Sequence, residues 1–118
     1  MTIKECYEQT GSDYEGILKR FGSEAMIERF ALKFLKDGSF SDLTSALELK
    51  DAETAFRAAH TLKGVCMNLG FDRLYKVSAE LTEQLRGREI EGSEAMYAQV
   101  KEQYEALTDV LRKYEEER

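Results

Sequence analysis

Residues 58–70 read AAHTLKGVCMNLG and contain the single histidine of the 118-residue chain, His60. A full helical turn later comes a glycine, Gly64, and just before it a lysine, Lys63. An advance of about 100° per residue splits this stretch and the residues before it into two faces. Ala55, Ala58, Leu62, Val65, Cys66 and Leu69 cluster within roughly 60° of the direction opposite His60, and Ala59 joins them within about a further 20° of drift. Phe56, Arg57, Lys63, Gly64 and Met67 fall within about 60° of His60 itself. The period makes this an amphipathic helix, with a core stripe on one side and the histidine at the centre of the solvent face.

Glycines and cap residues divide the chain on either side of this helix. Asp51 reads as its N-cap, and Gly70 as the residue that ends it near Leu69. A further helix follows from about Phe71 to Leu85, with Leu74, Val77, Leu81 and Leu85 inward. Gly87 and Gly92 bracket a polar loop, and Ser93 reads as the cap of a last helix. Met96, Val100, Tyr104, Leu107, Leu111 and Tyr114 form its stripe. The closing Glu115-Glu116-Glu117-Arg118 reads as a solvated, fraying tail.

Upstream, Ser39 or Ser41 can cap a helix with Leu43, Ala46 and Leu47 on one side. From Ser23 to Lys36, Met26, Ile27, Phe30, Ala31, Phe34 and Leu35 mark another apolar face, ended by Asp37-Gly38. Thr2-Ile3-Lys4-Glu5 and Ser12-Asp13-Tyr14-Glu15 read as capping boxes opening two short helices. No alternation of period two is long enough for a strand, and proline is absent. The expected fold is all-α: an antiparallel four-helix bundle over 39–117, with additional short N-terminal helices over 1–22. The length of 118 residues fits one domain, 1–118.

Composition narrows the function. The net charge of −6 argues against nucleic acid and anionic membranes as partners. No apolar run approaches the roughly 20 residues that span a bilayer, and no signal peptide is recognisable, so a cytoplasmic protein is expected. Cys6 and Cys66 do not make a disulfide framework, and Cys66 falls on the core stripe. One histidine and two distant cysteines give no metal-ligand cluster, and Glu-x-x-His is missing. Neither a phosphate-binding GxxxxGK[ST] loop nor a nucleophile elbow occurs. No metal and no cofactor is expected.

A lone exposed histidine is ordinarily plain surface, but its neighbours are unusual. Gly64 costs the helix roughly 1 kcal/mol relative to alanine, a loss without purpose unless something approaches the backbone closely. Phe56 and Met67 are apolar on a face that should be polar; for Phe56, contact with the N-terminal helices is the competing reading. Over 56–76 the net charge is +3, from Arg57, Lys63, Arg73 and Lys76 against Asp72. A basic island on an acidic protein suits an anionic ligand or an acidic partner surface.

His60-Thr61-Leu62-Lys63-Gly64 with the trailing Leu69-Gly70 resembles the signature of histidine-containing phosphotransfer (HPt) domains of bacterial two-component phosphorelays. The resemblance runs from about Ser23 to the C-terminus, and Phe71-Asp72-Arg73-Leu74 through Ala79-Glu80-Leu81 is similar to the family's next helix. It implies a phosphocarrier without ATP binding or kinase activity. In that family a neutral imidazole takes a phosphoryl group from a receiver-domain aspartate and passes it to another. Any metal ion for the reaction comes from the receiver.

By resemblance His60 is the phosphorylated residue, Lys63 stabilises the phosphoryl oxygens, and Gly64 clears space for the receiver. Phe56, Arg57, Met67, Arg73 and Lys76 are the expected partner-binding residues. Many members place a glutamine or glutamate on the next helix against the histidine. Here that position is Thr82, with Glu83 and Gln84 beside it; Thr82, Gln84 and Arg86 are candidate auxiliary residues, although surface ion pairing is the plainer reading of Arg86. The implied partners are receiver domains of a hybrid histidine kinase and of a downstream regulator, met by a monomer. Met1 favours a free-standing protein. The rival reading is a non-catalytic helical adaptor that binds a partner protein, with His60 incidental.

Overall fold

A computed structural model describes residues 1–118. The elements are α1 (Ile3–Gln9), α2 (Tyr14–Phe21), α3 (Glu24–Lys33) with a 3₁₀ turn at Phe34–Lys36, α4 (Ser39–Glu48), α5 (Ala52–Leu69), α6 (Asp72–Leu85) and α7 (Glu94–Glu117). Helices α4 to α7 follow one another with short connections and form the antiparallel bundle, α5 packing between α4 and α6, and α6 between α5 and α7. Stacked rings of Phe40 with Tyr97 and Tyr104, and a 2.7 Å hydrogen bond between the Thr44 and Tyr97 hydroxyls, close α4 onto α7.

One continuous apolar core takes side chains from every helix. On α5, Ala55, Ala58, Ala59, Leu62, Cys66 and Leu69 are buried as the helical period requires, while Val65 is only half-buried at the edge of the stripe. Three buried alanines in the first half of α5, Ala55, Ala58 and Ala59, let its neighbours approach closely. On α6 the buried set is wider than the expected apolar stripe, because Ser78 and Thr82 are buried as well and Val77 is not.

The N-terminal helices dock at the end of the bundle where α5 turns into α6. Tyr7 donates its buried hydroxyl to the Leu69 carbonyl at 2.8 Å, and the Asp13 amide donates to the Gly70 carbonyl at 2.9 Å. Gly70 has a φ of 72°, and a β-carbon there would stand 2.5 Å from Ile17 Cγ1. Glycine is therefore required both by the turn and by the approach of α2.

Several caps differ from the sequence reading. Thr2 and Glu5 do form a reciprocal capping box. At α2 the cap is Asp13 rather than Ser12, whose hydroxyl pairs with Thr10. At α4 neither Ser39 nor Ser41 caps; Ser39 lies inside the helix, and Asp37 accepts from its amide at 2.9 Å. Ser93 precedes α7 but donates its hydroxyl back to the Ile90 carbonyl. In the first two cases a carboxylate, the stronger acceptor, takes the capping role. The expected fraying tail is also corrected. Helix α7 runs to Glu117, Arg118 pairs with Glu28 of α3 at 2.7 Å, and Tyr114 donates to the same carboxylate at 2.6 Å.

Candidate functional site

Helix α5 is held at its start by Asp51, which accepts from the Thr54 amide at 3.1 Å and the Thr54 hydroxyl at 2.6 Å. Those hydrogen bonds, the hydroxyl's first, keep the Asp51 carboxyl below the usual carboxylate range. With the alanine and leucine stripe buried, rotation of α5 is fixed, and His60 near its middle is exposed. The N-terminal helices reach α5 only near its last turn, where Arg20 donates to the Met67 carbonyl at 3.4 Å. They leave the histidine uncovered.

Lys63 is half-buried and takes part in none of the molecule's ion pairs. A β-carbon built on Gly64 meets nothing within 4 Å. The fold itself therefore has no steric need for glycine at this helical position, and the space over it is open.

Phe56, one turn before His60, stacks on the imidazole with ring centroids 6.0 Å apart and an interplanar angle of 18°. The competing expectation, contact with the N-terminal helices, gives way to a different arrangement. The Arg88 guanidinium lies over the Phe56 ring at 4.0 Å, and that of Arg86 at 5.3 Å. Phe56 is thus half-buried under cations rather than a bare apolar patch. Glu53 ties the group together, accepting from Arg88 Nε and from Arg57 Nε, the latter at 2.9 Å. Both arginines hold the Glu53 carboxyl low, Arg88 most. Across the helix interface, Glu83 is held low chiefly by its 2.7 Å pair with Arg86, with smaller contributions from Lys63 and His60. Four cations (Arg57, Lys63, Arg86 and Arg88) against two carboxylates leave the surroundings of the histidine net positive.

The other sequence candidates sort unevenly. Met67 is exposed two turns beyond His60 on the same helix. Lys76 is exposed on α6, spaced like Glu80 and Glu83 along one stripe. Arg73 is not brought to the site. Its guanidinium packs against Gly11 in the α1–α2 turn and lines a cavity with Gln103 and Ala106 of α7. Thr82 cannot orient the imidazole either, because it is fully buried and donates to the Ser78 carbonyl at 2.7 Å. Gln84 donates to the Glu91 carbonyl in the α6–α7 loop at 3.3 Å. Arg86 makes the surface pair with Glu83 and also stacks on Phe56.

Sequence reasoning missed Arg88 and Glu53. Glu53 carried a signal, since Glu at i and Arg at i+4 is a favourable helical pair. Arg88 carried none, because it sits in an aperiodic loop 28 positions after His60.

Residues 37–110 match the family model described as Hpt domain, a span that takes in α4, α5, α6 and most of α7. The curated proteins and the solved structures give no match. With the match covering well over half of the chain, and with a strandless helical bundle beneath it, the chain belongs to the Hpt domain family, the phosphocarriers of histidine phosphotransfer in two-component signalling.

Proposed function

We propose that His60 is the residue that carries the phosphoryl group, relaying it between aspartates of two receiver domains, those of a hybrid histidine kinase and of a downstream regulator. The observation that carries this reading is the setting of the chain's only histidine. It is exposed at mid-helix, next to an ammonium with no carboxylate partner and beneath open space over Gly64. A neutral imidazole nitrogen attacks the phosphorus of an aspartyl phosphate in line. The P–N bond forms as the P–O bond to the carboxylate breaks, and the aspartate leaves ionised. Transfer to the second receiver is the same exchange reversed. The attacking nitrogen of a neutral imidazole carries a lone pair and no proton, so no dedicated base is needed.

Lys63 supplies a point charge to the phosphoryl oxygens, and Arg57 and Arg86 add positive potential for an acidic receiver face. Gly64 admits the receiver's loops, and Met67 and Lys76 extend the docking face toward the end of α5. The whole of 1–118 acts as one relay unit, because the residues ahead of the family match share its core.

The test uses receiver domains charged with acetyl phosphate and mixed with the protein. Acid-labile, base-stable label on wild type and none on His60→Gln is the expected result. Absence of transfer from every receiver tried would leave the adaptor reading in its place.

A further inference from the structure

Arg88 sits in the turn between α6 and α7 with a φ of 63°, in the left-handed region. A side chain strains the backbone there, and glycine does not. Strain of this kind persists where the surroundings over-determine the conformation, and it points toward function rather than away from it. The Arg88 side chain crosses from the turn to α5. Its Nε donates to the Glu53 carboxylate, its Nη1 donates to the Arg86 carbonyl at 2.6 Å, and its guanidinium plane covers Phe56 at 4.0 Å. Three separate contacts hold a group that would otherwise be free on the surface. Phe56 in turn stacks on His60. A line of contacts, Arg88 to Phe56 to His60, with Glu53 of α5 anchoring the guanidinium, therefore runs from the strained turn to the nucleophile.

We infer that Arg88 is a positioning residue for His60. By clamping Phe56 it fixes the ring against which the imidazole packs, and so holds the imidazole in one orientation for in-line attack. The inference rests on the reading of His60 as the phosphorylated residue. Arg88 acts through Phe56 and touches no reacting atom in this arrangement. Phosphoryl transfer is sensitive to such alignment because its catalysis consists mostly of positioning and charge stabilisation. A purely structural role, pinning the turn, would leave the imidazole's surroundings and its reaction unchanged.

His60 is the only histidine, so its imidazole C–H resonances are unambiguous in an NMR spectrum. Arg88→Gly is the informative variant, because glycine adopts the same φ without strain and the turn survives the loss of the side chain. The displacement of the imidazole protons by the Phe56 ring current should shrink in Arg88→Gly, toward the value in Phe56→Leu. With a receiver domain charged by acetyl phosphate, the maximal transfer rate should fall about ten-fold while the half-saturating receiver concentration stays within about two-fold. Arg88→Lys keeps a cation over the ring and should recover part of both effects. Adding Arg88→Gly to Phe56→Leu should cost nothing further, because one acts through the other. Unchanged proton shifts and rate in Arg88→Gly, or independent losses that multiply in the double variant, would overturn the positioning role. Failure of wild type to accept the phosphoryl group, or label persisting on His60→Gln, would overturn the reading of His60 instead.

Discussion

At the scale of the residue, the decisive feature is a glycine that its own fold does not require. A β-carbon on Gly64 would meet open space, so Gly64→Ala should stabilise the protein by roughly 0.5–1 kcal/mol, seen as a higher urea midpoint. Gly64→Gln should leave the fold intact yet weaken receiver binding in a titration; equal affinity would remove the clearance argument. Lys63 forms no ion pair, so Lys63→Ala should leave the urea midpoint in place. Transfer should slow several-fold, within the roughly 1.5–3 kcal/mol of a charge-assisted contact. His60, Lys63 and Gly64 were legible in the sequence because helical period alone sets their direction. Thr82 was not, because a hydroxyl can satisfy itself on its own helix, as Thr82 does on Ser78.

At the scale of the element, helix boundaries followed apolar period closely, whereas cap chemistry followed the sequence only in part: Thr2, Asp51 and Gly70 act as expected, and three serines do not. Ser12, Ser39 and Ser93 all stand near helix starts, yet none caps with its side chain. Sequence could not decide between adjacent serines and aspartates, because the choice depends on the path of the entering chain. The caps and clamps that do form make stability depend on pH. Glu5, Asp51, Glu53 and Glu83 are all held below the usual carboxylate range by hydrogen bonds or arginines. Such groups favour the folded state above their unfolded pKa values and lose that contribution as pH falls through the folded ones. Asp72, raised by partial burial, opposes them in part. The urea midpoint should therefore be lower at pH 3 than at pH 7, and an unchanged midpoint would show that these contacts contribute nothing. Acidification should also release Arg88 from Glu53 and loosen the ring over which it lies.

At the scale of the whole molecule, the family match begins at residue 37, but the core does not. Ile3, Cys6, Tyr7, Tyr14 and Ile17 are buried with the bundle, and Tyr7 binds the carbonyl that ends α5. Tyr7→Phe should cost about 1–2 kcal/mol by denaturant unfolding, because it strands a buried carbonyl. The four-helix architecture was legible because each helix is long and uninterrupted by proline. The Arg88 clamp was not, since contacts between a loop and a helix leave no period in a sequence. What the bundle accomplishes as a unit is to hold one imidazole outward while its own N-terminal helices stay at the far end of α5. The most direct measurement is phosphorus NMR with peptide mapping of the protein after incubation with a charged receiver. The account predicts a single phosphoramidate signal, mapped to the peptide containing His60 and absent from His60→Gln; a phosphoryl group on any other residue, or a signal surviving that substitution, would contradict it.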